Sequence, residues 1–180
     1  MKRTVLRGIV ALPVLLTWAC GPSVNEGYLA HYKKAVEAHH AGRRAEAIAE
    51  YRGALRLRPQ SADAHSNLAL VLYDIGERQA AIQEYRRALQ LDADSAETHN
   101  NLGVALLSAG QIAAAVGEYR RAVELRPEFT EGHFNLCLSL ELLGRLHDAL
   151  RQCRMAAGQA PERPGVAGAV ERLKSKLARR

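Results

Sequence analysis

The chain has 180 residues, 25 Lys and Arg against 19 Asp and Glu, 48% hydrophobic residues and only 5% aromatics. That length excludes a large multi-domain enzyme, and the balance of apolar and charged residues excludes a wholly disordered chain. Three of the basic residues, Lys2, Arg3 and Arg7, precede the first acid, so from Cys20 onward the count is 22 against 19, too weak a surplus for a nucleic-acid partner.

Residues 1–19 begin with those three cations and continue in an apolar run, Gly8 to Ala19, which is the anatomy of an export signal. The run is shorter than the roughly 20 apolar residues that cross a bilayer, and Pro13 interrupts it, so a permanent span is the poorer reading. It ends in Leu16-Thr17-Trp18-Ala19-Cys20-Gly21, which resembles the lipobox of bacterial lipoproteins. The resemblance implies cleavage before Cys20, acylation of that residue, and, with Gly21 following, sorting to the outer membrane with the protein facing the periplasm. A plain secretory signal, giving a soluble periplasmic or secreted protein, is the competing reading. Residues 20–27 are expected to be the lipidated tether, which at about 3.3 to 3.6 Å per residue reaches under roughly 30 Å.

From residue 28 the sequence repeats every 34 residues. Tyr51, Tyr85 and Tyr119 fall in register, with Ala54, Ala88, Ala122 and then Leu57, Leu91, Leu125. Four units follow, at 28–61, 62–95, 96–129 and 130–163. Each holds two amphipathic stretches joined at Gly42, Gly76, Gly110 or Gly144, where glycine suits the left-handed residue that ends a helix. Apolar residues recur at helical spacing, small residues (Ala47, Ala81, Ala115, Ala149) mark close helix approach, and Pro59, Pro127 and Pro161 stop second helices, with Ala93 in that place in unit two. A last stretch, 164–180, carries Val166, Val170, Leu173 and Leu177 on one stripe and reads as a helix that caps the open end of a stack.

The period and pattern resemble the tetratricopeptide repeat family. The resemblance implies an all-α, right-handed solenoid of four helix-turn-helix units plus the capping helix, with a concave groove that binds a protein or peptide. His stands where the family favours Trp, and Lys34 stands where a core Leu is expected, so the first helix is expected to be loosely packed.

His31, His65, His99 and His133 occupy one slot in successive units. Equivalent helices lie about 8 to 10 Å apart, too far for ligands that must each lie about 2 Å from one metal ion, so they read as packing residues and no metal or other cofactor is expected. His39 and His40, adjacent on one helix, diverge too far to share an ion. His133 and Cys137 share a helix face, the placement a thiolate–imidazole dyad needs, but the pair falls on ordinary repeat slots, so no catalytic residue is assigned. Cys137 and Cys153 together replace the small-residue and Tyr pairs Ala35/Tyr51, Ala69/Tyr85 and Gly103/Tyr119. Both lie about equally far from the turn at Gly144, so they should face each other. An oxidising compartment favours a disulfide between them; two buried thiols acting as small hydrophobes is the alternative.

Asn67, Asn101 and Asn135 recur in His-x-Asn-Leu on the first helices. In this family the slot faces the groove, where an amide can both donate to and accept from the backbone of an extended peptide. Leu70, Val104 and Leu138, with Tyr73, Leu107 and Phe134 nearby, would add apolar contact. Asp63, Asp74, Glu97, Glu131 and Glu141 would make the groove acidic, so that a basic or neutral segment fits. Arg52, Arg86, Arg120 and Arg154, joined by Arg87 and Arg121, should lie on the convex side, with Glu84–Arg87 and Glu118–Arg121 as ordinary three-apart pairs. The function expected is a membrane-tethered adaptor for a cell-envelope protein, pilotin-like or a scaffold for cell-wall enzymes. The rival is a small envelope enzyme or metal/thiol protein using His133, Cys137 and Cys153.

Overall fold

A computed structural model describes residues 23–179. The signal segment and Cys20 lie outside the described residues. Within them the chain forms helices α1 (Val24–His40), α2 (Arg44–Leu57), α3 (Ala62–Asp74), α4 (Arg78–Leu91), α5 (Ala96–Ser108), α6 (Ile112–Leu125), α7 (Thr130–Leu142), α8 (Leu146–Gln159) and α9 (Val166–Ala178). Consecutive helices pack as antiparallel hairpins, and each second helix also packs on the first helix of the next unit. The first helices touch directly, α3 to α5, α5 to α7 and α7 to α9, with no comparable approach between second helices among the described residues. The odd-numbered helices therefore line the inner, concave wall of an α-solenoid.

Each hairpin turn is closed by the same device. Gly42, Gly76, Gly110 and Gly144 have φ of 72°, 88°, 77° and 72°, a region that costs a β-carbon about 1 kcal/mol or more. The residue after each glycine donates its N–H back to the carbonyl of Ala38, Leu72, Leu106 or Leu140, the bond that satisfies orphan carbonyls at a helix end. Where the chain passes between units, Ser23, Ser61 and Ser95 cap α1, α3 and α5 by accepting from Glu26, Ala64 and Thr98 N–H groups. At α7 Phe129 takes that place without a side-chain cap. Unit two ends without proline because α4 stops at the same register and Asp92 Oδ1 accepts from the Asp94 N–H, a side-chain turn that ends the helix instead.

The core is a column of small residues and tyrosines. Ala35, Ala47, Ala69, Ala81, Ala115 and Ala149 are fully buried, and Tyr51, Tyr85 and Tyr119 fill the space beside them. Loss of water around the phenols pushes Tyr51 up to about 12 and raises Tyr85 and Tyr119 as well. Gly103 is required by this packing, since a β-carbon there would lie 2.6 Å from Cε1 of Tyr119.

Two expectations at the amino end are corrected. The stretch 20–27 is not an extended tether throughout, because Ser23 forms a reciprocal capping box with Glu26 and α1 begins at Val24. Helix α1 is also not loosely held: Tyr28, Ala35 and Ala38 are buried. Lys34 and Glu37 occupy the slots of Leu68 and Val71, which are buried in unit two; in the first described hairpin both positions are exposed. At the other end α9 buries Val166, Ala169 and Leu173. Buried residues of α1 and α9 thus close the two ends of the described stack.

Candidate functional site

The concave wall is built from the first helices. Asn67, Asn101 and Asn135 are half-buried there. Asn67 Nδ2 donates to the Tyr32 hydroxyl at 2.7 Å, and Asn135 Nδ2 donates to Asn100 Oδ1 at 3.0 Å. These amides bridge neighbouring first helices, spending one donor each and keeping an N–H and a carbonyl for other partners. Asn101 is held only by a 3.5 Å contact from Asn100 Nδ2 to its Oδ1. Leu70, Val104 and Leu138 are half-buried on the same helices. Phe134 is covered in part by Arg163, whose guanidinium lies 5.7 Å from the ring centroid.

The expected acidic groove is corrected at several positions. Glu141 is not an open charge: Arg172 from α9 makes two hydrogen bonds to its carboxylate, at 3.0 and 2.8 Å, and Lys176 a third at 2.8 Å. Those bonds, led by Arg172 and opposed by partial loss of water, hold the carboxyl down to about 2. Asp74 lies 3.1 Å from His39 Nε2, and Glu97 pairs with Arg126 at 2.6 Å. Asp63 and Glu131 remain exposed. Arg172 and Lys176 together bring one positive charge more than the Glu141 carboxylate they hold.

The repeated histidines do more than fill space. His31, His65 and His99 place Nδ1 2.6 to 2.7 Å from Glu50, Glu84 and Glu118, each 19 residues later on the second helix. In units two and three Nε2 also reaches the carbonyl of Pro59 (3.0 Å) or Ala93 (3.2 Å) at the end of the preceding unit. In unit four Gln152 replaces the acid, its Oε1 2.7 Å from His133 Nδ1, with Pro127 O 2.9 Å from Nε2. His65, His99 and His133 each join three segments and His31 joins two, and the signal for it was in the sequence as an acid or amide recurring 19 residues on.

This pairing overturns the expected Glu84–Arg87 and Glu118–Arg121 couples. The carboxylates turn inward to histidine; Arg121 pairs instead with Asp94 and Glu124. Among the described residues Arg52, Arg56, Arg86, Arg87, Arg120 and Arg154 make no ion pair.

Cys137 and Cys153 are fully buried and joined, Sγ to Sγ at 2.07 Å, with α-carbons 5.3 Å apart. Neither sulfur is a thiolate, and both ring nitrogens of His133 are engaged with Gln152 and Pro127. The arrangement thus offers no nucleophile to the rival chemistry. Among the described residues no cluster of three or more His, Cys, Asp or Glu is placed to hold a metal, and no helix is long and apolar enough to cross a membrane.

A stack of helical hairpins with a concave wall of amides and half-buried leucines defines an α-solenoid repeat protein of the protein-interaction class. Sequence profiles described as TPR repeat match residues 39–76 and 70–110, and one described as Tetratricopeptide repeat matches 100–164; the chain belongs to the tetratricopeptide repeat family. Among solved structures it is similar to a MamA protein, at TM-score 0.80 and 20% identity over 86% of this chain and 84% of that one. It is similar to PilF of Pseudomonas aeruginosa at TM-score 0.76 and 27% identity, over 87% and 71%. It is also similar to YrrB, described as a TPR protein with an unusual peptide-binding site, at TM-score 0.74 and 23% identity over 83% and 77%. No curated protein matches the sequence.

Proposed function

We propose that the chain is a lipid-tethered adaptor of the bacterial cell envelope, anchored at Cys20, that holds an extended segment of a protein partner against its concave wall. Its task is assembly of an envelope complex, in the manner of a pilotin or a scaffold for cell-wall enzymes, and it performs no chemistry of its own. The observation that carries this reading is the line of Asn67, Asn101 and Asn135 along one wall, each amide retaining unspent hydrogen-bonding capacity beside Leu70, Val104 and Leu138. The likeness to YrrB, described as having a peptide-binding site, supports a binding role for such a wall. Export and acylation rest on the sequence of residues 1–21, and imply a periplasm-facing outer-membrane location.

Three amide contacts at roughly 1 kcal/mol net each fall short of the roughly 8 kcal/mol that micromolar binding needs, so the leucines must contribute. With Asp63 exposed toward one end and Arg172 and Lys176 at the other, a basic segment is favoured beside α3 and a neutral one suits the end beside α9. The test is crosslinking and pull-down from intact envelopes. Asn101→Ala with Asn135→Ala should reduce partner recovery about tenfold with the thermal midpoint monitored in parallel, while Cys20→Ser should release the protein from the membrane fraction. Unchanged recovery with both amides removed would refute the groove as the binding surface.

A further inference from the structure

The convex side carries a groove whose chemistry the adaptor reading does not use. Between α2 and α4 lies a cleft of about 540 Å³. Leu55, Pro59, Leu68 and Leu91 line it, and Leu91 is 42% exposed. Arg52, Arg56 and Arg87 stand around it, and among the described residues none of the three has a carboxylate partner. The one acid lining the cleft, Glu84, is bound to His65. The corresponding cleft between α6 and α8 is different in kind: Arg120 and Arg151 share it with Glu124 and Asp148, and Asp148 already pairs with Arg145 and Arg151. Of these two clefts, the one beside the amino end alone has a basic rim without neutralising acids over apolar residues.

Its position gives that difference a meaning. Helices α1 and α2 are antiparallel, so the carboxyl end of α2 lies beside the start of α1. Arg58 fixes this by donating to Asn25 Oδ1 and stacking 4.4 Å over Tyr28. Three residue steps separate Cys20 from the cap Ser23, a link that spans at most about 10 Å. A group anchored at Cys20 therefore holds the Arg56 edge of the cleft close to whatever surface carries the anchor.

We propose that this cleft docks on an anionic phospholipid bilayer, with Arg52, Arg56 and Arg87 on headgroup phosphates and the exposed leucine edge at the level of the glycerol and upper acyl chains. Guanidinium forks match phosphate oxygens two at a time, and basic residues held close to a membrane are drawn to its anionic headgroups. The proposal rests on the envelope tether of the proposed function for its choice of occupant. The orientation that follows turns the concave wall away from the lipid, toward the partner.

The test uses residues 20–180 with Cys20→Ser, so that no lipid or signal segment masks the effect, with helical content checked by circular dichroism. Flotation with vesicles of phosphatidylglycerol and phosphatidylethanolamine should recover the protein, and vesicles of phosphatidylcholine alone should not. Each arginine near an anionic surface is worth about 1 kcal/mol, or about fivefold, so Arg52→Gln, Arg56→Gln and Arg87→Gln together should lower partition about 100-fold. Arg120→Gln with Arg154→Gln should lower it far less, and Leu91→Gln should weaken it with the salt dependence unchanged. Equal flotation of the triple variant, an equal loss in the Arg120 and Arg154 pair, or capture by a polyglutamate peptide in place of vesicles would each overturn the proposal. Partner recovery through Asn101 and Asn135 is scored separately, so either reading can fail without the other.

Discussion

Reducing the Cys137–Cys153 bond should loosen one end of the array and leave the rest almost untouched. The bond closes a loop with a sequence separation of 16, and constraining a loop of that size in the unfolded chain is worth about 3 kcal/mol. For a domain of this length each kcal/mol moves the midpoint by about 2 to 4 °C, so the cross-link should account for about 6 to 12 °C. Because coupling in a repeat stack runs between neighbours, the loss should concentrate in α7, α8 and α9. Both sulfurs are fully buried, so reductant acts only when that unit opens; the rate of reduction in native buffer reports local opening. Oxidised and reduced forms of the same chain have nearly the same volume, and comparing them isolates the cross-link from any cavity effect. Thermal melts with hydrogen-exchange mass spectrometry across α7–α9 make the measurement. Two alkylatable thiols in the non-reduced, denatured protein, or matching melts for the two forms, would refute the reasoning.

Other substitutions separate packing from charge. Gly103→Ala should cost about 1 to 3 kcal/mol as the Tyr119 ring is displaced, whereas Gly117→Ala, where an added β-carbon meets nothing within 4 Å, should gain about 0.5 to 1 kcal/mol; urea midpoints decide both, and equal effects would contradict the close approach. The Glu141 carboxyl is held below its unfolded value, so its contribution is fully present above about pH 4.5 and is lost as pH falls toward about 2. Glu141→Gln should remove that acid limb and, after discounting for the half-exposed Arg172 and Lys176, cost about 1 to 2 kcal/mol at neutral pH. An unaltered acid limb in this variant would show that the cluster holds no charge-dependent stability.

The repeat length, the glycine turns and the small-residue column were legible in the sequence because each follows from a local rule repeated four times. What the sequence concealed depends on where a side chain turns in space. Glu84 stands three residues before Arg87, the ordinary helix-pair spacing, yet its carboxylate faces the neighbouring helix because His65 offers a shorter, more buried partner. Glu141 looked like groove charge until α9 folded back over it. Lys34 looked like a fault in the core, yet its side chain is exposed on the outer side of the first described hairpin. Ser61 and Ser95, recurring at the junctions, were helix caps that could have been read from their place before each first helix.

Hairpins that stack on their own kind risk stacking on other molecules, since such a head-to-tail contact does not close and would grow into fibres. Lys34 and Glu37 at one face, and the polar outer surface of α9 at the other, block that growth. They also fix how such a protein can lengthen over generations: a duplicated unit can be accepted between existing ones, where both neighbours are greasy, but not beyond either terminus.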